Sequence, residues 1–131
     1  MSNTPPAEAY VPGTCNIGPV EVATRRRGAV AATAATLALG ALVLAVGAPR
    51  EARLLVGLPA AGTVVAWLQV RNRFCVAYAT RGVFNMSTRL GAASPVADRA
   101  ARGEDRRRAA SMIASAAAIG VAAALVLYLL P

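Results

Sequence analysis

The sequence predicts an all-α integral membrane protein with three transmembrane helices, and three observations lead there. At 56% hydrophobic and 15% charged, the 131-residue chain is too apolar for a water-soluble domain of its length. Uncharged stretches of lipid-spanning length recur three times, at about 28–47, 54–70 and 109–130. The arginines crowd beside those stretches and fall mostly on one side of them.

In chain order, residues 1–14, MSNTPPAEAYVPGT, hold three prolines and few apolar anchors, which predicts a flexible cytoplasmic tail. The first span, GAVAATAATLALGALVLAVG, has 20 residues and makes a helix of roughly 30 Å, the thickness of a bilayer core. A cleavable signal peptide is the rival reading of this arginine-led run. Against it stand a length beyond the usual apolar region of such peptides and Pro49 after the best cut site.

The second span, LLVGLPAAGTVVAWLQV, is about 26 Å at the same rise and is expected to extend toward residue 79. Arg71 and Arg73 would snorkel to the headgroups while Phe74, Cys75, Val76 and Tyr78 stay near the interface. Pro59 predicts a modest kink. Residues 86–108 form a basic cytoplasmic linker, expected to be partly helical. Ser94 before Pro95 reads as a helix start, Asp98 with Arg102 and Glu104 with Arg108 have i,i+4 spacing, and Gly103 is the weak point. Such a helix would run into the third span, AASMIASAAAIGVAAALVLYLL, within the segment 109–131.

All 14 basic residues are arginine, against 6 acids. With three spans, twelve arginines fall on one side and only Arg50 and Arg53 on the other. The positive-inside rule then puts the amino terminus in the cytoplasm and the carboxyl terminus outside. Juxtamembrane arginines also attract anionic headgroups, so membrane lipids are expected partners. Nucleic acid is set aside, because no stacking aromatics or recognised module accompany the arginines.

Several functions are disfavoured by what is missing. Histidine is absent, which removes haem ligation, most zinc, copper and iron sites and the commonest general base. No metal, cofactor or catalytic constellation is expected, and the chain reads as a non-enzyme. The spans contain no Asp, Glu, Lys or Arg, which argues against ion-coupled transport. Thr33, Thr36, Ser111, Ser115 and Gln69 are expected to bond between helices or back to their own backbone. Small residues recur every fourth position at Gly28, Ala32, Thr36 and Gly40, and again at Ala116, Gly120 and Ala124, with Ala110, Ala114, Ala118 and Ala122 alongside. Either these stripes bring helices into close contact, or they merely reflect an alanine-rich composition.

The threading carries both cysteines, Cys15 and Cys75, to the cytoplasmic face, where thiols stay mostly reduced. Neighbouring arginines would favour a reactive thiolate, whereas burial would leave an inert small hydrophobe. Both readings stay open.

Two short motifs bracket the first two spans: CNIGPVEVATRRRG at residues 15–28 and FCVAYATRGVFN at 74–85. With the spans between them, residues 15–85 resemble the YgaP-like transmembrane domain family of small bacterial membrane hairpins. Asn16, Ile17, Gly18, Glu21 and Arg25 match the first family motif, and Phe74, Cys75, Tyr78, Gly82 and Asn85 the second. Val22 departs from the family's usual arginine, Arg71 and Arg73 interrupt a normally apolar region, and a third span is added. No rhodanese domain, the sulfur-transfer module sometimes fused to such hairpins, is present. The resemblance implies a multi-pass protein of the bacterial inner membrane that dimerises or joins other membrane subunits, with a link to thiol or sulfur handling.

In physical terms, Cys75 and Tyr78 would share a helix face, Gly82 would permit a turn, and Asn85 would satisfy backbone there. Cys75 would pack under the CNIG turn, with Glu21 paired to Arg25 or Arg73. The expected function is a helix-packing or accessory subunit of a homo-oligomer or membrane complex. The alternative is a thiol-dependent module handling sulfur, metal or redox equivalents through Cys15 and Cys75. Neutral-solute transport would require several copies around a pore.

Overall fold

Alanine, leucine and valine runs without interior charges form three long helices in the computed structural model, which describes residues 9–131. Helix α1 spans Pro19–Ala45, α2 Arg50–Arg53, α3 Gly57–Asn72, α4 Val76–Arg81 and α5 Arg99–Leu129. Two-residue strands, β1 (Val83–Phe84) and β2 (Ser94–Pro95), pair antiparallel with Val83 opposite Pro95. Three stretches are long and apolar enough to cross a membrane: Pro19–Ala45, Arg50–Asn72 and Arg99–Leu129. Helix α3 lies between α1 and α5, so the bundle is an up-down-up layer of three.

Pro19 opens α1 in the first turn, where its missing N–H costs nothing. The expected kink at Pro59 takes a different form. Pro59 has no N–H to offer the Leu55 carbonyl, and the chain just upstream tightens into a 3-10 turn over Leu54–Val56 before α3 begins.

The α1/α3 seam is held by polar groups as well as small ones. The Trp67 indole N–H donates to Thr33 Oγ1 at 2.8 Å, Thr36 and Thr63 hydroxyls lie 2.9 Å apart, and both reach the Pro59 carbonyl. Thr33 also bonds back to the Ala29 carbonyl at 2.8 Å. These are the interhelical and backbone bonds expected of threonine in an apolar helix. Gln69 does something else: its Oε1 accepts from Val76 N at 3.1 Å, across the break that ends α3.

That break corrects the expected extension of the second span toward residue 79. Arg73 adopts a left-handed conformation (φ 49°), which stops α3 at Asn72. Phe74 N then donates back to the Gln69 carbonyl at 3.1 Å, closing the helix end. Phe74 and Cys75 turn inward and are fully buried, and α4 starts afresh with Cys75 as its N-cap.

The third long helix also starts elsewhere than expected. Ser94 and Pro95 form the edge of the small β pair, and α5 begins at Arg99 with Asp98 Oδ1 accepting from Ala100 N at 3.1 Å. The two i,i+4 ion pairs do not form. Arg102 instead donates to the Val96 and Ala97 carbonyls, and Arg108 to Asn72 Oδ1. Past Gly103, α5 is continuous, so the polar and apolar halves are one helix.

Of the expected flexible tail, residues 1–8 lie outside the described residues, but 9–14 are tied down. Tyr10 stacks on Phe84 with ring centres 4.7 Å apart, and Val11 exchanges backbone hydrogen bonds with Cys15. The tie reaches α5: the Tyr10 hydroxyl donates to Asp105 Oδ2 at 2.6 Å and Gly13 N donates to Oδ1 at 2.7 Å. Burial, then the bond to Asp105, pushes the Tyr10 phenol above its ordinary range, which keeps it a donor.

At the opposite end of the bundle, the buried Arg53 closes α5. Its Nε donates to the Ala48 carbonyl (3.1 Å) and one terminal nitrogen to the Leu127 and Leu130 carbonyls (3.3 and 2.9 Å). Helix carboxyl ends leave carbonyls without partners and favour a cation there. Arg53→Ala is expected to lower stability by about 1.5–3 kcal/mol. Hydrogen exchange should speed up in the last turn of α5 and leave its first turns unchanged; uniform exchange along the helix would refute the clamp.

Candidate functional site

The sequence-selected residues converge on one cap at the arginine-rich end of the bundle. Its frame is the extended turn Asn16–Gly18, inserted between the end of α3 and the strand that follows α4. Asn16 N and Ile17 N donate to the Arg73 carbonyl at 3.1 and 3.3 Å, Asn85 N donates to the Asn16 carbonyl, and Gly18 N donates to the Asn85 carbonyl, both at 2.9 Å. The Asn16 side chain completes the join. It accepts from Cys75 N at 2.6 Å and donates to the Cys75 carbonyl at 3.1 Å, satisfying both backbone groups at the helix break.

The two glycines of the motifs have separate reasons. A side chain at Gly18 would meet the Met86 carbonyl at 3.2 Å, so any other residue would push the two backbones a few tenths of an ångström apart. Gly82 ends α4 at φ 70°, a left-handed conformation that disfavours any other residue.

Glu21 is the hub of the cap. It is 3% exposed, in the first turn of α1, where negative charge is favoured. Its Oε1 accepts from the Tyr78 hydroxyl (2.9 Å), Asn85 Nδ2 (2.9 Å) and Gly91 N (2.7 Å), and its Oε2 pairs with Arg25 at 3.3 Å. Four donors from four parts of the chain match a group that only accepts. Burial, then the bond and charge of Glu21, raise the Tyr78 phenol above its ordinary range, so it remains the donor. Arg25, not Arg73, is the partner; Arg73 contributes only its backbone. Asn85 also holds the following turn, donating to the Arg89 carbonyl and accepting from Ser87 N and Oγ.

Cys75 lies in the same cap, 1% exposed and packed with Ile17 and Tyr78. Its Sγ accepts from Tyr78 N at 3.4 Å, the N-cap bond of α4, so Cys75 and Tyr78 meet through the start of a helix rather than along the face of one. Cys15 is 6% exposed and donates to the Ile17 carbonyl at 3.6 Å. Both thiols are free and enclosed. Phe74 lies on the other side of the break, against Ala79, Ala109 and Met112. Among the described residues, no three Cys, Asp or Glu side chains gather closely enough to hold a metal ion.

Of the small-residue stripes, the α5 set holds. Ala116, Gly120 and Ala124 are buried and face α3, continuing a line through Ala101, Asp105, Ala109 and Met112. The set alongside it, Ala110, Ala114, Ala118 and Ala122, is exposed. In α1, Ala32, Thr36 and Gly40 are half-buried toward α3, but Gly28 is exposed with open space around it and Ala29 is the residue that packs.

Two buried charges escaped the sequence reading, Asp105 and Arg53. Asp105 sits in the run EDRRR, where it looks like one more solvated charge; only its place on the buried line of α5, four before Ala109, marks it out. A scan of protein-family models, a search of curated proteins and a search of solved structures return no match to this chain.

Proposed function

We propose that this is a multi-pass protein of the bacterial inner membrane, with its amino terminus in the cytoplasm, that acts without catalysis as a packing or accessory subunit of a homo-oligomer or larger membrane complex. One observation carries the reading: α3 is the one long helix that α1 packs on extensively, and only 6% of the most apolar stretch of α1 is buried. Val30, Leu37 and Leu42 stand more than half exposed along it, a surface suited to lipid or to another helix. The polar cap supports the same reading, because its buried groups are consumed in joining the amino-terminal turn, α4 and the linker. The motifs resembling YgaP-like hairpins coincide with that cap, which supports treating residues 15–85 as a hairpin of that kind carrying an added α5.

Reporters fused to the two ends should report opposite compartments, and protein extracted in mild detergent should run as an oligomer or with a stoichiometric membrane partner. A monomer without a partner would overturn the accessory role. Replacing both cysteines by serine should leave assembly unchanged, since serine is itself a good N-cap for α4. Loss of a bound metal, of sulfur transfer or of a redox-dependent dimer in that variant would transfer the function to the thiols.

A further inference from the structure

The cap carries more positive charge than it neutralises, and the excess is gathered on one ring. Tyr78 is fixed by its hydroxyl bond to Glu21. The Arg25 guanidinium carbon lies 5.6 Å from the centre of the Tyr78 ring and that of Arg81 lies 5.4 Å from the same centre. Two cations held on one aromatic platform repel each other, although each is attracted by the ring. Glu21 answers only Arg25, through a single nitrogen, and this is the only ion pair among the described residues. Arg81 spends one nitrogen on the Ala77 carbonyl at 3.4 Å and meets no carboxylate. Arg81 is exposed, and Arg25 is partly so.

We propose that Arg25 and Arg81 together bind a phosphate group, that of an anionic phospholipid headgroup, beside the Tyr78 ring. The site rests on the membrane reading above. Three observations converge on it. Arg25 lies one turn before the apolar stretch beginning at Gly28, which is headgroup depth for a helix that enters lipid there. Two planar guanidinium forks present the donors that phosphate oxygens accept in pairs, and a bound anion would neutralise the uncompensated charge. The two arginines come from α1 and α4, 56 positions apart in the sequence, so the anion would also tie the cap to the first long helix.

The test uses the full chain in mild detergent and in nanodiscs, with phosphatidylglycerol as the probe lipid and phosphatidylcholine as the neutral reference. Native mass spectrometry of the detergent-solubilised protein should show one retained phosphatidylglycerol and no retained phosphatidylcholine. Arg81→Gln should weaken that retention by about tenfold or more, and Arg81→Lys less so, because it keeps the charge and loses the fork. Arg106→Gln, which removes an exposed arginine of α5 outside this cluster, should leave retention unchanged. Equal losses in Arg81→Gln and Arg106→Gln would reduce the effect to diffuse charge and overturn the site. So would equal retention of the two lipids.

Inorganic phosphate added at millimolar concentration distinguishes the sources. Weak competition supports a lipid headgroup. Full displacement, with binding of phosphate alone lost in Arg81→Gln, would assign the site to a free anion and overturn the lipid assignment. Failure of the chain to enter nanodiscs would sink the membrane reading and the lipid assignment together, while phosphate binding to Arg81 in solution would still report separately on the arginine pair.

Discussion

Glu21→Ala is expected to be the most damaging single substitution in the cap, costing about 3–5 kcal/mol. Removing the buried carboxylate of this hydrogen-bonded pair leaves the part-exposed Arg25 guanidinium without its counter-charge. Here the loss also strands the Tyr78 hydroxyl, Asn85 Nδ2 and Gly91 N, each of which has Glu21 Oε1 as its acceptor. Glu21→Gln keeps the shape and one acceptor oxygen, so it should cost less, about 1–3 kcal/mol, chiefly from setting an amide N–H₂ against Arg25. Thermal unfolding in detergent gives the size of the effect. The cysteines give its location: Cys15 and Cys75 are enclosed in the wild type and should resist maleimide. In Glu21→Ala both should label rapidly at temperatures where α1, α3 and α5 are still helical, because the cap opens before the bundle. Protected thiols and an unchanged transition in that variant would show that the carboxylate organises nothing.

The long helices were legible because lipid-length apolar runs leave few alternatives, and the antiparallel pairing of α1 with α3 follows from the short connection between them. The cap was legible in membership and not in geometry. Asn16, Glu21, Tyr78 and Asn85 stood out as polar residues in short motifs, but the sequence around Cys75 reads as a helical extension of the second span past Arg71 and Arg73. What breaks the helix there is tertiary. The Arg73 carbonyl is taken by Asn16 and Ile17, and the backbone of Cys75 by the Asn16 side chain, from nearly 60 positions upstream. No local propensity announces such a break, since arginine, phenylalanine and cysteine are all tolerated within helices. Asp98 outcompeted Ser94 as the start of α5 for a related reason: pairing of Ser94–Pro95 with Val83–Phe84 commits those residues to an edge, with Val96 N bonded to the Gly82 carbonyl. Asp105 and Arg53 were hidden because a buried charge and a solvated one look alike until the partner is known.

Gly120→Ala and Gly28→Ala should move stability in opposite directions, although both glycines sit in small-residue stripes of apolar helices. At Gly120 an added methyl would stand 2.7 Å from the Gly57 carbonyl oxygen and 2.8 Å from Ala61 Cβ. Favourable contact between carbons begins nearer 3.5 Å, so α3 and α5 must part, and the opposing atoms are backbone or a bare methyl with no rotamer to yield. The expected cost is about 1–3 kcal/mol, and more for Gly120→Leu. Gly57→Ala should behave alike, since its methyl would meet the Gly120 carbonyl oxygen and Ala124 Cβ, each at 2.9 Å. Gly28 has nothing within 4 Å, so there alanine adds only helix propensity and should stabilise by up to about 1 kcal/mol. Unfolding by denaturing detergent, monitored by circular dichroism, measures both signs. Equal responses at the two positions would mean that the α3/α5 crossing is looser than its backbone distances require, and that the α5 stripe follows from composition rather than contact.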